Sequence, residues 1–455
     1  MKLFGSSGLR GLANVDLTPV LAVKVGMAVG TYAKAGKVFV ARDTRTSGLM
    51  LENALVSGLL GCGAKVFCLG VLPTPVLAYL TKRLGADAGV MITASHNPPQ
   101  YNGVKIFDGN GIAYSEESQN EIERIIGQGN FRLANWSNLG EAFQIDESRL
   151  YIEMINENVG LRKKWRVVVD PGCGATSQIA PAVFKGLGCE VISVNAQFDG
   201  YFPGRSPEPS GESIRPLAKI VKEFGADVGV AYDGDGDRVA FIDENGAFVD
   251  FDRVLAAYAA HVVGRTREKR KIVVTNVEAS MCIERAVEAL GGKVVGTKVG
   301  DIYIAEAVKK YGAVFGGEPC GAWIHPKYHY CPDGILSSVL LLKALEEANE
   351  SLSGFVAEVP IYLVLRENIP CRNEIKHGVV ERVGELLKVR FPDYKEFSTV
   401  DGVRLAFEDG WVLVRASGTE PLVRLTVEGE SLKIAEKIME ETVRIVGKVM
   451  EDFEK

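Results

Sequence analysis

The sequence predicts an α/β protein: three related α/β domains with mixed sheets, followed by a smaller C-terminal α+β domain. Three observations predict it. Short β-branched apolar runs alternate with amphipathic helical segments up to about residue 365, as strand–helix–strand units require. One helix–glycine–strand pattern occurs three times, about a domain length apart. Beyond residue 365 the texture changes to apolar–polar alternation punctuated by turn signals. The 455-residue length agrees, because one hydrophobic core does not extend over so long a chain.

In chain order, "KVFVA" (37–41), "AGVMITA" (88–94), "WRVVVD" (165–170), "DVGVAYD" (227–233) and "KIVVTN" (271–276) are continuous apolar strands of the kind covered on both faces. Amphipathic helices at 211–224 and 332–348 fit right-handed crossovers between them. The recurring pattern is "GLLGCGAKVFCLG" (58–70), "FKGLGCEVISVN" (184–195) and "VEALGGKVVGTKVG" (287–300). Each predicts a helix, a left-handed glycine stop and a buried strand. "DGVRLAFEDGWVLVRASGTEPLVRLTVEGES" predicts a half-exposed antiparallel sheet, with turns at Glu408-Asp409-Gly410 and Ser417-Gly418. A charged helix over 431–453 closes the chain. The predicted domains are 1–149, 150–250, 251–365 and 366–455.

The composition is that of an ordinary globular protein, 47% hydrophobic and 24% charged. A net charge of −6 argues against a nucleic-acid partner but leaves room for a local basic pocket that takes a small anion. The eight cysteines (Cys62, Cys68, Cys173, Cys189, Cys282, Cys320, Cys331 and Cys371) form no CxxC pair and read as scattered reduced thiols. "MKLFGSSGLRG" has no apolar signal core, and no run approaches the ~18 apolar residues of a membrane span. A cytoplasmic protein without a membrane partner is expected, monomer or homodimer.

"AYDGDGDRVAFIDENG" places Asp233, Asp235 and Asp237 at alternate positions directly after a buried strand. Carboxylates this close repel, and a bound divalent cation removes the conflict; hard oxygen ligands favour Mg²⁺ or Ca²⁺. Gly234 and Gly236 let the backbone curl so that the side chains converge. An EF-hand fits poorly, although Glu244 stands at the twelfth position, because Arg238 occupies the sixth, where that loop needs glycine. A phosphatase-type aspartate nucleophile and a plain acidic turn are the other rivals.

"VRASGTEPLVR" (414–424) offers Arg415, Ser417, Gly418, Thr419 and Arg424, donors suited to a phosphate. "GSSGLRG" (5–11) is a second Gly/Ser turn, with Arg10. "ARDTRTSG" (41–48) reads first as a buried ion-pair network. "GTKVGD" (296–301) brings Lys298 to a loop after a strand. "GGEPCGAWIHP" (316–326) presents Glu318 on a rigid loop, where a carboxylate could accept hydrogen bonds from vicinal hydroxyls; His325 and His329 lie nearby.

"TASHNPPQYNGVK", "DGDGDR", "GGEPCG" and "RASGTEP", in this order and at domain-sized spacing, resemble the α-D-phosphohexomutase family over essentially the whole chain. The resemblance implies four domains around a central cleft and a phosphosugar substrate. It implies that Ser95 is a phosphoserine, that Asp233, Asp235 and Asp237 hold Mg²⁺ with the serine phosphate, and that a hexose 1,6-bisphosphate is the intermediate. Arg10, His96, Lys105 and Arg238 match basic site residues, and Glu318 the sugar-loop glutamate. Arg415, Ser417, Gly418 and Thr419 match the loop gripping the phosphate that is not transferred. Lys105, its pKa lowered by crowding cations, is the candidate for proton transfer, ahead of His96.

The sugar loop departs from the GEMSGH and GEQSGH patterns of the family: Cys320 replaces serine and Ala322 replaces histidine, a role that His325 or His329 could take over. "GGEPCGAWIHPKYHYCPDG" is most similar to archaeal members assigned as phosphoglucosamine mutases. The leading expectation is therefore glucosamine phosphate, with tolerance for galactosamine phosphate; mannose and glucose phosphates are the alternative. A serine hydrolase using Ser95 and His96 is disfavoured, since neighbours on an extended segment point apart and no GxSxG elbow exists. A non-catalytic Ca²⁺-binding protein is the remaining alternative.

Overall fold

The computed structural model describes residues 3–5, 8–417 and 420–454. Gly418 and Thr419 of the predicted phosphate loop, and Ser6 and Ser7 of the N-terminal turn, lie outside the described residues.

One four-strand unit recurs in three sheets. Its central strands are Lys37–Arg42, Arg166–Asp170 and Ile272–Asn276. Each pairs in parallel, on one side, with the strand after the glycine stop: Lys65–Val71, Glu190–Ser193 and Lys293–Thr297. The stops are left-handed as predicted, with φ of 84° at Gly63, 82° at Gly188 and 72° at Gly291. On the other side the central strands pair in parallel with Ala88–Ile92, Val228–Tyr232 and Phe315–Gly317. Those strands then turn back into antiparallel partners, Tyr101–Asp108, Val239–Ile242 and Trp323–Ile324. The three sheets are therefore mixed and share one topologically equivalent four-strand core.

This equivalence positions function. The turn between the last two strands of each unit carries Ser95 in the first sheet, Asp233 to Asp237 in the second and Glu318 to Cys320 in the third. Strands buried on both faces hold each turn: every residue of Ala88–Ile92, Val228–Tyr232 and Phe315–Gly317 is buried.

The fourth sheet is wholly antiparallel, in the order Leu363–Pro370, Leu422–Gly429, Gly410–Ala416, Val403–Ala406, Glu396–Ser398. Its first strand begins at Leu363. The helix Lys376–Arg390, which the sequence pattern did not single out, packs on one face beside the C-terminal helix Leu432–Glu454.

The expected half-exposed sheet is corrected at Gly410–Ala416, where Trp411, Val412, Leu413 and Val414 are all buried. Val412 and Val414 face the two helices, whereas Trp411 and Leu413 pack against Val277 and Met281 of the third α/β unit. The alternating pattern marks two different partners, not a wet and a dry face. No helix among the described residues is long and apolar enough to cross a membrane.

Because Trp411 anchors this docking, Trp411→Ala should lower unfolding free energy by about 3–5 kcal/mol. Urea denaturation checks it; a loss below about 1 kcal/mol would contradict the anchoring role.

Candidate active site

Ser95 is buried and holds a left-handed backbone, φ 52°, a conformation that costs a non-glycine residue of order 1–3 kcal/mol. Arg45 sustains it. The fully buried guanidinium donates to the carbonyls of Ser95 (2.8 Å), Asn97 (2.6 Å), Pro98 (2.6 Å) and Tyr101 (2.9 Å), while its Nε meets Asp43 Oδ2 at 3.0 Å. Thr93 Oγ1 donates to the same Asp43 oxygen and accepts from the Ser95 N–H. The ion-pair network read in "ARDTRTSG" thus exists, and it shapes the serine loop.

The acidic turn meets this loop directly. Ser95 Oγ donates to Asp233 Oδ2 at 2.6 Å. A Cβ on Gly234 would lie 2.5 Å from the Ser95 carbonyl oxygen, so only glycine allows the approach. The three aspartates are buried and offer oxygens that all lie within 4.8 Å of one another. Lys105 Nζ, from the strand Tyr101–Asp108, bridges Asp235 (2.8 Å) and Asp237 (2.5 Å), and Thr74 Oγ1 donates to Asp235. Asp235 Oδ1 and Asp237 Oδ1 are buried without a hydrogen-bond partner among the described residues. Orphaned hard oxygens at the centre of three converging carboxylates fit a divalent cation of the Mg²⁺ kind. Strands flank the turn on both sides and Glu244 binds Ser353, so no EF-hand is present.

Electrostatics corrects two expectations. Burial, then Asp237 and Asp235, push the Asp233 carboxyl well above the usual range. Burial also works against the charge of Asp235, but Lys105 and Thr74 outweigh it and hold that carboxyl below its ordinary value. Burial pulls Lys105 down, yet Asp235 and Asp237 outweigh it, so its pKa is raised. The expected lowering does not occur, because the closest charged neighbours of Lys105 are acids. His96 Nδ1 lies 3.3 Å from Ser95 Oγ, so the two side chains do not point apart: the left-handed turn at Ser95 replaces the extended segment assumed from sequence. Burial, Arg238 and Arg10 bring the imidazole down to about 2, making it a weak base for a hydrolase dyad.

Cations ring the rest of the cleft. Arg10 on Gly8–Leu12 binds Asn97 Oδ1 at 2.8 Å and leaves Nε buried without a partner among the described residues. Arg238 follows Asp237; burial opposes its charge, but Cys320, Asp237, Asp233 and Glu318 raise its pKa. Glu318 Oε1 accepts from Asn276 Nδ2 (2.8 Å) and the Gly300 N–H (2.9 Å). Cys320 is half-buried, and burial pushes its thiol up to about 12. Lys298 is exposed, 4.0 Å from Glu116. His325 binds Ser337 at 2.9 Å and His329 binds Asp333 at 2.8 Å, both buried. Each of these histidines commits its Nε2 to a core hydrogen bond.

At the fourth domain, Arg415 is engaged by Glu278 through Nη1 and by Asp401 through Nη2 (2.8 Å). Arg424 stands directly across from it on the neighbouring strand, half-exposed and paired with Glu420 at 2.8 Å. Ser417 is buried, and its carbonyl accepts from the buried Lys376, which also binds the Glu420 carbonyl. Sequence reasoning missed Lys376, whose two carbonyl partners lie 41 and 44 residues away. It also passed over Asp301: "GTKVGD" drew notice for its lysine, but Asp301 Oδ1 is the buried atom without a partner among the described residues.

Known proteins resemble this chain in sequence and in fold. Successive stretches match the phosphoglucomutase/phosphomannomutase α/β/α domain I (residues 1–133), domain II (149–246), domain III (250–362) and C-terminal domain (367–445). The chain is 42% identical over 452 residues to a probable phosphoglucosamine mutase of Pyrococcus horikoshii, covering 99% of each. It is 45% identical over 454 residues to another of Methanopyrus kandleri, again 99% of each. The solved structure of a phosphoglucomutase/phosphomannomutase family protein from Burkholderia thailandensis superposes with a TM-score of 0.89 at 28% identity, over 98% of this chain and 97% of that one. With four domain matches in order and relatives above 40% identity end to end, the chain belongs to the phosphoglucomutase/phosphomannomutase family.

Proposed function

We propose that this isomerase interconverts the 6- and 1-phosphates of a hexosamine, glucosamine first and galactosamine second, through phosphoserine 95 and a bound 1,6-bisphosphate. The observation that carries the proposal is the Ser95 hydroxyl, buried and 2.6 Å from Asp233 at the edge of the three-aspartate cluster. In the forward step the O–P bond to Ser95 breaks as an O–P bond to the free sugar hydroxyl forms, and the proton of that hydroxyl ends on Ser95 Oγ. The second phosphate of the bisphosphate then returns to Ser95. Such transfers demand positioning and charge neutralisation more than base strength.

Asp233, Asp235 and Asp237 would hold Mg²⁺, the serine phosphate adding an oxygen. When bound, Mg²⁺ supplies positive charge beside the transferring phosphoryl oxygens. Arg10, whose Nε has no partner among the described residues, and Arg238 would add more. Lys105 enters as a charged donor, and neutral His96 as a hydrogen-bonding neighbour of Ser95. Glu318, Cys320 and Lys298 line the sugar and its approach. Arg415, Ser417, Gly418, Thr419 and Arg424 take the stationary phosphate, which displaces Glu278 and Asp401 from the Arg415 fork. The hexosamine assignment follows the archaeal relatives' names and the altered sugar loop.

Ser95→Ala should cut mutase turnover more than about a thousandfold while leaving the unfolding transition in place. Near-wild-type turnover with bisphosphate supplied would rule out the covalent role. For the sugar, kcat/KM on one preparation should rank glucosamine phosphate above glucose and mannose phosphates; a preference of about tenfold or more for either of the latter overturns the assignment.

A further inference from the structure

Some of the buried polar atoms that lack a partner among the described residues lie in this cleft, while others, such as Asn156 Oδ1 and Trp323 Nε1, lie in the body of the fold. Asp235 Oδ1 and Asp237 Oδ1 belong to the proposed cation site, and the Nε atoms of Arg10 and Arg415 belong to groups proposed to meet phosphates. Asp301 Oδ1 is likewise buried without a partner among the described residues, and neither role accounts for it. A carboxylate oxygen only accepts hydrogen bonds, so its missing partner is a donor, best a cationic one.

Its surroundings narrow that donor further. Asp301 begins the helix Asp301–Tyr311, and the preceding Gly300 turns its N–H to Glu318 Oε1 at 2.9 Å. The sugar-loop carboxylate and Asp301 are thus locked to the same short loop. Asp301 and Lys105 line one small cavity together with Gly8, and Lys105 reaches on to Asp235 and Asp237, which sets Asp301 next to the serine–aspartate centre. Lys105 is held by Asp235 and Asp237, and Arg10 by Asn97. A hexosamine phosphate brings one cationic donor that a hexose phosphate lacks, the ammonium on the ring.

We propose that Asp301 receives the amino group of the substrate and selects hexosamine over hexose phosphates. The inference rests on the hexosamine reading above. Recognition of the sugar is then split between two carboxylates. Glu318 accepts from hydroxyls that all these sugars share, and Asp301 from the group that distinguishes them. A neutral hydroxyl in the same place would leave the Asp301 carboxylate partly uncompensated, the arrangement that rejects an analogue most strongly.

The test compares kcat/KM for glucosamine 6-phosphate and glucose 6-phosphate in the Mg²⁺-supplied wild type, Asp301→Asn and Asp301→Glu. The expected result is a fall of about tenfold or more in the glucosamine-to-glucose ratio for D301N, with D301E retaining more of it. An unchanged ratio in D301N overturns the inference, even if both rates drop, because that is the signature of a structural role. Should D301N fail to fold, Asp301→Ser, which also removes the carboxylate, takes its place: a fallen ratio supports the inference and an unchanged ratio overturns it. A wild type that prefers glucose 6-phosphate sinks the hexosamine reading itself, and the inference with it; that outcome is separable from a glucosamine-preferring enzyme indifferent to Asp301.

Discussion

Three carboxylates buried in one turn are the constraint from which the rest of the cleft follows. At separations under 5 Å, each charged pair repels by about 3 kcal/mol even in a moderately polar interior. The fold relieves part of this. Lys105 spans Asp235 and Asp237, and Asp233, whose carboxyl is pushed toward the protonated form, receives the Ser95 hydroxyl. Two oxygens nevertheless stay unpartnered among the described residues. An arrangement that leaves buried acceptors open is unfavourable in a resting core and useful only where a ligand completes it.

The architecture delivers one contribution to the cleft from each domain. A strand–turn–strand unit, repeated in three sheets, presents a serine, then an acidic cluster, then a glutamate at the equivalent turn. Identical topology thus carries three different chemistries, with the identity of each set by a few turn residues. The fourth domain closes the ring through Trp411 and Leu413 and through polar ties: Arg415 to Glu278, the Asp401 carboxylate to the Val299 N–H, and Glu428 to the Met281 N–H. The Arg415 tie is made by the very fork proposed for phosphate, so substrate and interdomain contact compete for one guanidinium.

Much of this was legible in the sequence because it is local. The glycine stops, the apolar central strands and the DGDGD turn each depend on residues close together in the chain, and each has the predicted form. What the sequence hid is long-range. Trp411 reads as one position in an alternating strand until its third-domain partners are seen. Lys105 reads as a lysine among cations until two aspartates 130 and 132 residues away hold it charged. His96 and Ser95 read as divergent neighbours until the Arg45 network imposes a left-handed serine. Lys376 and Asp301 carry no motif; only burial and partners, or their lack, reveal them.

The central claim is that Ser95 carries a phosphoryl group between turnovers. Peptide-resolved mass measurement of the protein, after incubation with a hexose 1,6-bisphosphate and again after phosphatase treatment, tests it most directly. The expected result is one phosphoryl group on the peptide containing Ser95, removed by the phosphatase and absent from Ser95→Ala. A wild-type Ser95 peptide that stays unmodified while the preparation turns over phosphosugar would contradict it.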